Sequence, residues 1–450
     1  MNTQFVKFLV LIFLLLSLLI LVYVFYRSEI VYKGSNFHYY FKYYLFSIGA
    51  VVFWTMVLFF KNEVKKNLLL FSFSFIFSLY FLEFLLNFVF YTNVYTVHRK
   101  IFNQNFDTRT NMEFVEDKRG KGIDIFPILK QGLVRDKFIN KKSEEILALS
   151  PGISKKVTVL CNELGNYVTY KSDRYGFNNP DTEWDNASTH VLLIGDSYIH
   201  GHCVSPKENM TSQIRAMTGK STLNLGVGGI GPLRELAILK EYASSKKPKN
   251  LFWMYYEGND MEDFEVELKN KILVKYLKKN FTQNLMNHQE EIDHFKNETF
   301  NNLISDRNTL LHKIRFLRLY ELRTFIRRFL GSLYYKKQKK KRVVNVNPLL
   351  INVLSEAKNL TESWGGNFFF VYIPEYSRYK SKVRNHETFN KKAEIINLLE
   401  NKNIVVIDLH KEVFIKKSNH KIMYICHTCH LTSYAYKKIA EFITTQVIKN

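Results

Sequence analysis

A serine directly after a short apolar strand is the residue of this chain best placed for nucleophilic chemistry. The run Val191-Leu-Leu-Ile-Gly-Asp-Ser197 ends its apolar stretch at Gly-Asp-Ser. A buried parallel strand of this kind delivers its last residue to the carboxyl edge of a sheet, where open α/β folds place their chemistry. Gly195 permits a tight exit from the strand, so we expect Ser197 to face solvent as a nucleophile. Gly-Asp-Ser is also ordinary turn chemistry, and the assignment therefore depends on the motifs in later segments of the chain.

Two further strand-to-loop junctions carry groups that stabilise a negatively charged oxygen. The segment Asn224-Leu-Gly-Val-Gly-Gly-Ile-Gly-Pro232 follows a second short strand, and Tyr255-Tyr-Glu-Gly-Asn-Asp260 follows a third. Acyl transfer from an ester needs a nucleophile, a base, and hydrogen-bond donors aimed at the oxyanion. Because a glycine N–H and an asparagine amide supply such donors, we expect Gly229 and Asn259 to take that role. Asp260 is expected to fix its loop by local hydrogen bonds.

A histidine near the C-terminus supplies the base that the serine needs. His430 lies in the run Cys426-His-Thr-Cys-His-Leu-Thr-Ser433, immediately before the amphipathic pattern of the final helix. Thr432 or Ser433 is suited to cap that helix, since both side chains accept a hydrogen bond from a first-turn amide. We therefore expect His430 at a helix start, beside the same sheet edge as Ser197.

The order of these blocks, Gly-Asp-Ser, a glycine block, Gly-Asn-Asp and a late histidine followed by Leu-Thr, resembles the SGNH or GDSL hydrolase family. The resemblance covers roughly residues 172–450, interrupted by an insertion, and four blocks in order are far more specific than any one of them. It implies a three-layer, flavodoxin-like α/β fold with a parallel sheet, an acyl-serine mechanism and no cofactor. By the same resemblance, Ser197 is the nucleophile and first oxyanion donor, Gly229 and Asn259 are the other donors, and His430 is the base. The region 224–256 is also similar to a membrane-tethered bacterial subgroup.

The chain departs from the family pattern at one position. The family usually has an aspartate three residues before the histidine to orient the imidazole, and this chain has His427 there. An orienting acceptor then has to come from a backbone carbonyl or another carboxylate, and Asp408, after the strand 404–407, is the nearest candidate by sequence. Asp408 has an alternative role as a turn or helix-start carboxylate. A serine–histidine dyad without an acid would be weaker, since a wrong imidazole tautomer costs about 10⁴ in kcat in serine proteases.

The C-terminal cysteines have alternative interpretations. Cys426-His-Thr-Cys-His430 matches C-x-x-C-H, the attachment pattern of c-type haem, but the segment closes an α/β sheet where a catalytic histidine is expected, so we predict no haem. A tetrahedral metal site is disfavoured because structural zinc ligands usually come as two separated pairs. A disulfide between Cys203 and Cys429 is a further alternative. Cys161 would then pair with Cys426, or all four thiols would be free.

Three apolar segments near the N-terminus are long enough to cross a membrane. They cover 5–26, 41–60 and 67–91, and a hydrocarbon core is about 30 Å thick. The first is too long for the apolar region of a signal peptide and has no small-residue cleavage site. Lysines between the second and third segments favour a cytoplasmic N-terminus. Basic residues between the first and second segments favour the opposite orientation. A cytoplasmic N-terminus places the C-terminal domain outside the cytoplasm, on the inner (plasma) membrane. Glu83, in the third segment, is either a functional membrane carboxylate or a hydrogen-bonding group.

These features divide the 450 residues into three expected regions. Residues 1–95 form a membrane anchor with three transmembrane helices, residues 96–188 a lead-in that packs on the catalytic domain, and residues 189–450 that domain. Within it, 265–347 is a charged helical insertion that ends in a basic run. Such a run is usually a solvated face, and its alternative role is a lid or an electrostatic contact with the membrane. The net charge of +23 suits a domain near anionic headgroups or acidic polysaccharide, and the sequence carries no motif that reads nucleic acid.

The alternation of strand and helix patterns after residue 190 predicts a parallel sheet. Strands are expected at 191–194, 222–225, 251–256, 367–373 and 404–407, and helices at 209–217, 233–245, 349–364, 387–400 and 432–447. Parallel strands joined by helices bring the four sequence blocks to one sheet edge.

The sequence thus predicts a membrane-anchored serine esterase or deacylase that works through an acyl-Ser197 intermediate on acylated cell-envelope glycan or lipid. If a sugar hydroxyl replaces water as the acceptor, the protein is an O-acyltransferase for envelope polysaccharide, and a separate membrane protein would supply its acyl groups. A third alternative is a membrane-bound binding or assembly protein that keeps the fold with weak catalysis, which the missing aspartate favours. The expected partners are the bilayer and the acylated substrate, and no nucleic acid.

Overall fold

The chain forms two compact units. The computed structural model describes residues 2–34, 37–102, 107, 109–128, 137–139, 144–308, 314–339, 346–379, 387–416, 420–425 and 430–448. One unit, the helical unit, comprises Met1–Thr92 with Lys313–Leu333, and the other, the α/β unit, comprises Asn93–His312 with Tyr334–Asn450. The insertion, which the sequence places wholly in the catalytic domain, is therefore divided between the two units.

Long apolar helices make up most of the helical unit. Their bounds are Thr3–Phe25, Phe37–Val57 and Asn62–Phe102, of which the last belongs to this unit up to Thr92. Three stretches of this region, 29, 21 and 27 residues long, are apolar enough to cross a membrane, as the sequence predicts. The helices meet through a small cluster that includes Val10, Trp54 and Leu69, while most of their phenylalanine and leucine side chains are exposed. Helices that are apolar on all sides are suited to a hydrocarbon surrounding.

The remainder of the helical unit comes from the insertion. A 3-10 turn at Arg315–Arg318 leads into the helix Tyr320–Lys339, which we call the insertion helix. Its start is bound to the third apolar helix, because the Glu83 carboxylate accepts hydrogen bonds from the backbone N–H groups of Glu321 (2.9 Å) and Leu322 (2.7 Å). Glu83 is 1% exposed and is therefore the hydrogen-bonding group that was one of its two expected roles.

Two small sheets precede the main sheet of the α/β unit. In one, β1 (Ile125–Pro127) pairs in parallel with β4 (Val157–Cys161), which pairs antiparallel with β5 (Val168–Lys171). In the other, β2 (Lys137–Ile139) pairs antiparallel with β3 (Glu145–Leu147). The turn between β4 and β5 contributes a residue to the candidate active site.

A five-stranded parallel sheet organises the α/β unit. Its strands are β6 (Val191–Gly195), β7 (Thr222–Asn224), β8 (Asn250–Tyr256), β9 (Asn367–Ile373) and β10 (Val405–Asp408). The strand order is β10-β9-β8-β6-β7, and all four pairings are parallel. The first strand of this sheet thus lies between the second and the third, which is the flavodoxin-like order. The expected three-layer α/β fold is confirmed, with element boundaries that differ by only a few residues.

Helices cover both faces of this sheet. The helices of the α/β unit include Asn111–Gly120, Ser197–His200, Met210–Thr218, Pro232–Ile238, Asp260–Glu267, Lys271–Lys275, Gln289–Asn308, Pro348–Ser363, Glu387–Glu400 and Ser433–Ile443. Alternate residues of a strand point to opposite faces, so Leu192 and Trp253 pack with the helices Pro232–Ile238 and Pro348–Ser363. Leu193 and Phe252 pack on the other face with Met210–Thr218 and Ser433–Ile443.

The strand order creates a crevice at the carboxyl end of β6. The chain leaves β6 toward β7 on one side and later returns to β8 on the other side, so the connections diverge above β6. Open α/β sheets bind ligands at such switch points. The Gly-Asp-Ser turn lies at this end of β6.

Candidate active site

The turn Gly195-Asp-Ser197 begins with a glycine whose surroundings leave no room for a side chain. A Cβ on Gly195 would lie 2.8 Å from the carbonyl oxygen of Met254 in β8. Asp196 caps the short helix that follows, since its side chain accepts a hydrogen bond from the Tyr198 N–H at 2.9 Å. Ser197 is the first residue of that helix and is partly exposed. The N–H groups of the first residues of a helix have no acceptor within the helix, and the backbone N–H of Ser197 is in this position.

His430 lies against Ser197. Its Nε2 atom is 2.9 Å from Ser197 Oγ. The chain is held there by Thr432, which caps the final helix Ser433–Ile443 by accepting a hydrogen bond from the Ala435 N–H at 3.2 Å. The structure thus brings together the expected nucleophile and the expected base, which are far apart in the sequence.

Glu163 completes a chain of hydrogen bonds through the histidine. Its two carboxylate oxygens lie 2.9 Å and 3.0 Å from His430 Nδ1. Because a carboxylate only accepts hydrogen bonds, Nδ1 carries the ring proton and the lone pair of Nε2 faces the Ser197 hydroxyl. This tautomer is the one that can take the serine proton. Glu163 lies in the turn between β4 and β5, well before the nucleophile in the chain.

Asp408 does not orient the histidine, and its prediction as the acid is wrong. At the end of β10, one of its carboxylate oxygens lies 2.6 Å from Lys392 Nζ, and the other accepts a hydrogen bond from the His410 N–H at 3.1 Å. Asp408 therefore has the alternative role, that of a turn carboxylate. Proximity in the sequence misled the prediction, since β10 is the edge strand of the sheet whereas His430 lies above β6.

A disulfide joins the loops that carry Glu163 and Ser197. Cys161, at the end of β4, is bonded to Cys203, and their Cα atoms are 5.4 Å apart. The two alternatives that the sequence left open for Cys203, a bond to Cys429 or a free thiol, are therefore both wrong, because β4 and the loop after the helix Ser197–His200 are neighbours in the fold. Cys161 directly precedes the turn of Glu163, so the bond restrains that turn against the nucleophile loop.

The haem-like motif lies mostly outside the described residues. Residues 426–429, which include both remaining cysteines and His427, are not among them. The last member of the motif, His430, is engaged by Ser197 and Glu163.

The glycine segment after β7 borders the serine. A Cβ on Gly226 would lie 2.3 Å from the His200 backbone nitrogen, and one on Gly228 would lie 3.6 Å from Ser197 Cβ. Gly229 follows with φ of +76°, in the left-handed region that favours glycine. Nothing lies within 4 Å of a Cβ placed on Gly229. The turn therefore presents an open stretch of backbone next to the nucleophile, where an oxyanion donor is expected.

Asn259 lies at the next strand-to-loop junction, after β8. Its side-chain Nδ2 donates a hydrogen bond to Asp263 at 2.6 Å, which uses one of the two amide hydrogens. The side chain is partly exposed. Asp260 accepts a hydrogen bond from the Tyr256 N–H at 2.7 Å, so it fixes the loop locally, as expected.

A second histidine, His202, faces the base. The ring centroids of His202 and His430 are 4.5 Å apart. Within the described part of the chain, Glu163, His202 and His430 form a group whose ligand atoms lie within 4.8 Å of one another, close enough to hold a metal ion. His430 and Glu163 already make the hydrogen bonds described above, so a metal ion there would compete with those bonds.

Burial determines the charge of two further groups at the nucleophile turn. Burial raises the pKa of Asp196 to about 6, and its Oδ2 is 3.4 Å from Ser197 Oγ. Burial lowers the pKa of His200 to about 3, so this imidazole is neutral at neutral pH. His200 Nε2 is 3.1 Å from the Tyr170 hydroxyl, which ties the nucleophile helix to β5. Of the two groups near Ser197 Oγ, His430 is closer and is oriented by a carboxylate, and it is therefore the better base.

Sequence reasoning missed Glu163 because the acid comes from the lead-in region. The available signal was a carboxylate in the turn Asn162-Glu-Leu-Gly165, between two strand patterns and beside Cys161. Nothing in its spacing relates that turn to His430. The two are brought together only by the packing of the small sheet β1-β4-β5 near the nucleophile loop.

The chain has an SGNH/GDSL hydrolase-like fold. The strand order of the parallel sheet and the placement of Gly-Asp-Ser at the end of its first strand carry this assignment. No protein-family model and no curated protein matches the sequence. Among solved structures, the chain is similar to a lipolytic protein of the G-D-S-L family from Desulfitobacterium hafniense, with 13% identity, coverage of 57% of this chain and 98% of that one, and a TM-score of 0.32. It is also similar to a member of the lipolytic protein G-D-S-L family from Veillonella parvula, with 10% identity, coverage of 58% and 99%, and a TM-score of 0.33.

Proposed function

We propose that the protein is a membrane-anchored serine esterase or deacylase with the triad Ser197, His430 and Glu163. The observation that carries this proposal is the unbroken chain of hydrogen bonds from Ser197 Oγ to His430 Nε2 and from His430 Nδ1 to the Glu163 carboxylate. A nucleophile, a base within hydrogen-bond reach and a third group that orients the base are the requirements for acyl transfer through a serine.

In the acylation step, Ser197 Oγ attacks the carbonyl carbon of an ester. Its proton passes to His430 Nε2, and the resulting imidazolium is stabilised by Glu163. The oxyanion of the tetrahedral intermediate accepts hydrogen bonds from the Ser197 N–H, the Gly229 N–H and the Asn259 amide. Collapse of the intermediate breaks the bond to the alcohol oxygen, which takes the proton from His430 as it leaves.

The deacylation step repeats this sequence with water. His430 Nε2 takes a proton from water, and the hydroxyl attacks the acyl-serine carbonyl. The second tetrahedral intermediate uses the same oxyanion donors. Ser197 leaves with the proton from His430, so the enzyme is restored and a carboxylic acid is released.

The setting supports an acylated cell-envelope glycan or lipid as the substrate. Three helices are long and apolar enough to anchor the chain in a membrane, and the net charge of +23 attracts anionic surfaces. The disulfide between Cys161 and Cys203 suits an oxidising compartment, which supports a catalytic domain outside the cytoplasm.

The identity of the acyl acceptor separates hydrolysis from O-acyl transfer. Both reactions share the acyl-serine intermediate, and they differ only in whether water or a sugar hydroxyl attacks it. The alternative of a binding or assembly protein with weak catalysis rested on the missing aspartate, and Glu163, which is hydrogen-bonded to His430, supplies the carboxylate that was missing. Hydrolysis therefore remains the proposal, and transfer is an outcome of the test.

Labelling with a fluorophosphonate tests the proposal directly. We expect the full-length protein to be labelled once, and Ser197→Ala to abolish the label. Ser205→Ala, at an exposed serine in the loop that follows the nucleophile helix, is the matched control and should label like the wild type. A folded wild type that does not react, or a label that persists in Ser197→Ala, would sink the proposal. Incubation with an acyl ester, with and without a sugar acceptor, then shows whether acid or a new ester is formed.

A further inference from the structure

The insertion helix carries an apolar stripe among basic residues. The stripe consists of Leu322, Phe325, Ile326, Phe329 and Leu330, which recur at the spacing of one helix face. Leu322 is buried, whereas the other four are between 39% and 57% exposed. Arg323 and Arg327 lie between them in the sequence and are exposed. An exposed row of four large apolar side chains marks a surface that contacts protein or lipid.

The start of the insertion helix is bound to the third apolar helix. Glu83 accepts the hydrogen bonds from the first-turn amides, where the helix dipole favours a negative charge. Tyr80, on the same side of the third helix, donates its hydroxyl hydrogen to the Leu317 carbonyl at 2.8 Å, and its ring lies 5.6 Å from that of Phe316. A carboxylate within an apolar span is costly unless it is paired, so these contacts determine where the insertion helix begins.

The contacts lie in the second half of an apolar segment that is long enough to cross a membrane. Tyr80 and Glu83 fall within the segment 67–91, so the insertion helix starts against a membrane-spanning candidate helix. Amphipathic helices that lie in the plane of a membrane are buried about 5–10 Å into the boundary between headgroups and acyl chains.

Tyrosines are grouped at the start of one helix of the helical unit. The second apolar helix begins with Phe37-His-Tyr-Tyr-Phe-Lys-Tyr-Tyr44, and tyrosines are enriched where a span meets the headgroups. The insertion helix belongs to the same compact unit as these tyrosines.

From these observations we propose that residues 315–330 form an in-plane helix at the membrane interface, with the bilayer itself as the partner of the exposed stripe. Phe325, Ile326, Phe329 and Leu330 lie in the acyl-chain boundary, and Arg323 and Arg327 contact anionic lipid phosphates. The three spanning helices and this stripe belong to one compact unit, and both have large exposed apolar side chains. The basic side chains beside the stripe complement anionic headgroups.

This attachment changes how the α/β unit is held. The chain enters the helical unit again at Lys313 and leaves it after Leu333. The α/β unit is therefore joined to the membrane by three chain connections and not by the single one after Thr92. Contact of the stripe with the bilayer does not depend on the reaction that the α/β unit performs.

Tryptophan fluorescence in vesicles tests the depth of the stripe. The full-length chain with Phe329→Trp, in vesicles of phosphatidylcholine and phosphatidylglycerol, is compared with Thr324→Trp on the opposite face of the helix. The signal of the four native tryptophans is subtracted. We expect lipids brominated on the acyl chain to quench Phe329→Trp at least about twofold more than Thr324→Trp, and aqueous acrylamide to show the reverse order. Quenching of Phe329→Trp by acrylamide alone, or by neither agent, would overturn the proposal, since the stripe would then face water or protein.

The two charged contributions are tested separately. Replacing phosphatidylglycerol with phosphatidylcholine, or introducing Arg323→Gln with Arg327→Gln, should reduce the lipid quenching of Phe329→Trp. Unchanged quenching in both cases would overturn the assignment of anionic headgroups.

Glu83→Gln should speed hydrogen exchange at the amides of residues 321 and 322. The control is Glu63→Gln, at an exposed glutamate on the same helix that pairs with Lys66. Equal exchange in the two variants would overturn the role of Glu83.

Discussion

Replacing Glu163 with glutamine separates the role of the acid from every other feature of the site. In the wild type both carboxylate oxygens lie within 3.0 Å of His430 Nδ1, so the ring proton is held there and the imidazolium is stabilised. A glutamine amide has the same shape, but it is neutral and can donate to Nδ1. That would move the ring proton to Nε2 and leave no lone pair for the Ser197 proton. The corresponding change in serine proteases lowers kcat about 10⁴-fold, or about 5 kcal/mol in the barrier, and we expect a loss of this order.

The assay is hydrolysis of a short-chain aryl ester, with the rate of fluorophosphonate labelling as a second readout. Glu163→Asp should keep part of the activity, because the charge remains while the carboxylate is withdrawn by one methylene. Asp408→Asn is the control, and its kcat should stay close to that of the wild type, because Asp408 contacts Lys392 and not His430. Thermal unfolding verifies that each variant is folded. A folded Glu163→Gln protein with kcat within about tenfold of the wild type would refute the reasoning and leave a serine–histidine dyad.

Three further predictions concern the support of the site. Replacing both Cys161 and Cys203 with serine opens a loop of sequence separation 42, and the loss of chain restraint should lower the free energy of unfolding by about 4 kcal/mol, which thermal unfolding measures. The same replacement should lower kcat in the wild type but should not lower it further in Glu163→Gln. Independent losses of kcat from the two changes would contradict a role of the disulfide in placing Glu163. The folded pKa of Asp196, about 6, lies above its ordinary 3.8, so its contribution to stability is greatest below about pH 4 and is lost as the pH rises to about 6. Asp196→Asn should therefore raise the unfolding temperature more at neutral than at acidic pH, and equal shifts would argue against burial of the charge. Gly226→Ala places a Cβ 2.3 Å from the backbone nitrogen of His200. It should lower the free energy of unfolding by about 1–3 kcal/mol and reduce fluorophosphonate labelling. Unchanged labelling would contradict the close approach of Gly226 to the helix of Ser197.

The main sheet could be predicted because its central strands β6, β8 and β9 are nearly continuous apolar runs. The runs at 251–256 and 367–373 are buried on both faces, and the structure places β8 and β9 within one residue of them. Buried parallel strands need no alternation of polar residues, so composition alone identifies them. The adjoining motifs then fall at the carboxyl edge by topology, which is why Ser197 and His430 could be named without the structure.

The small sheets and the acid could not be predicted in this way. β1 and β3 are only three residues long, and such short strands have no reliable period. Glu163 is one carboxylate among the 41 acidic residues of the chain. Glu163 differs from the other acidic residues because it contacts His430, which is remote in the sequence and lies just before the final helix.

The cysteines illustrate the same limit. Spacing along the chain suggested that Cys203 pairs with a C-terminal cysteine beside the base. The actual partner, Cys161, is the residue that the strand β4 delivers to the nucleophile loop. A disulfide requires Cα atoms within about 7 Å, a distance that only the folded chain defines.

By itself, the sequence determined the parallel α/β sheet, the three apolar helices and the order of the nucleophile, oxyanion-donor and base motifs, because these depend on local periodicity and on the fixed polarity of parallel strands. The tertiary structure alone decided that Glu163 orients His430, that Cys161 and Cys203 are joined, and that part of the insertion folds with the apolar helices through Glu83. These three outcomes depend on contacts between segments remote in sequence. Such contacts follow from how elements pack, and no single segment carries a signal for them.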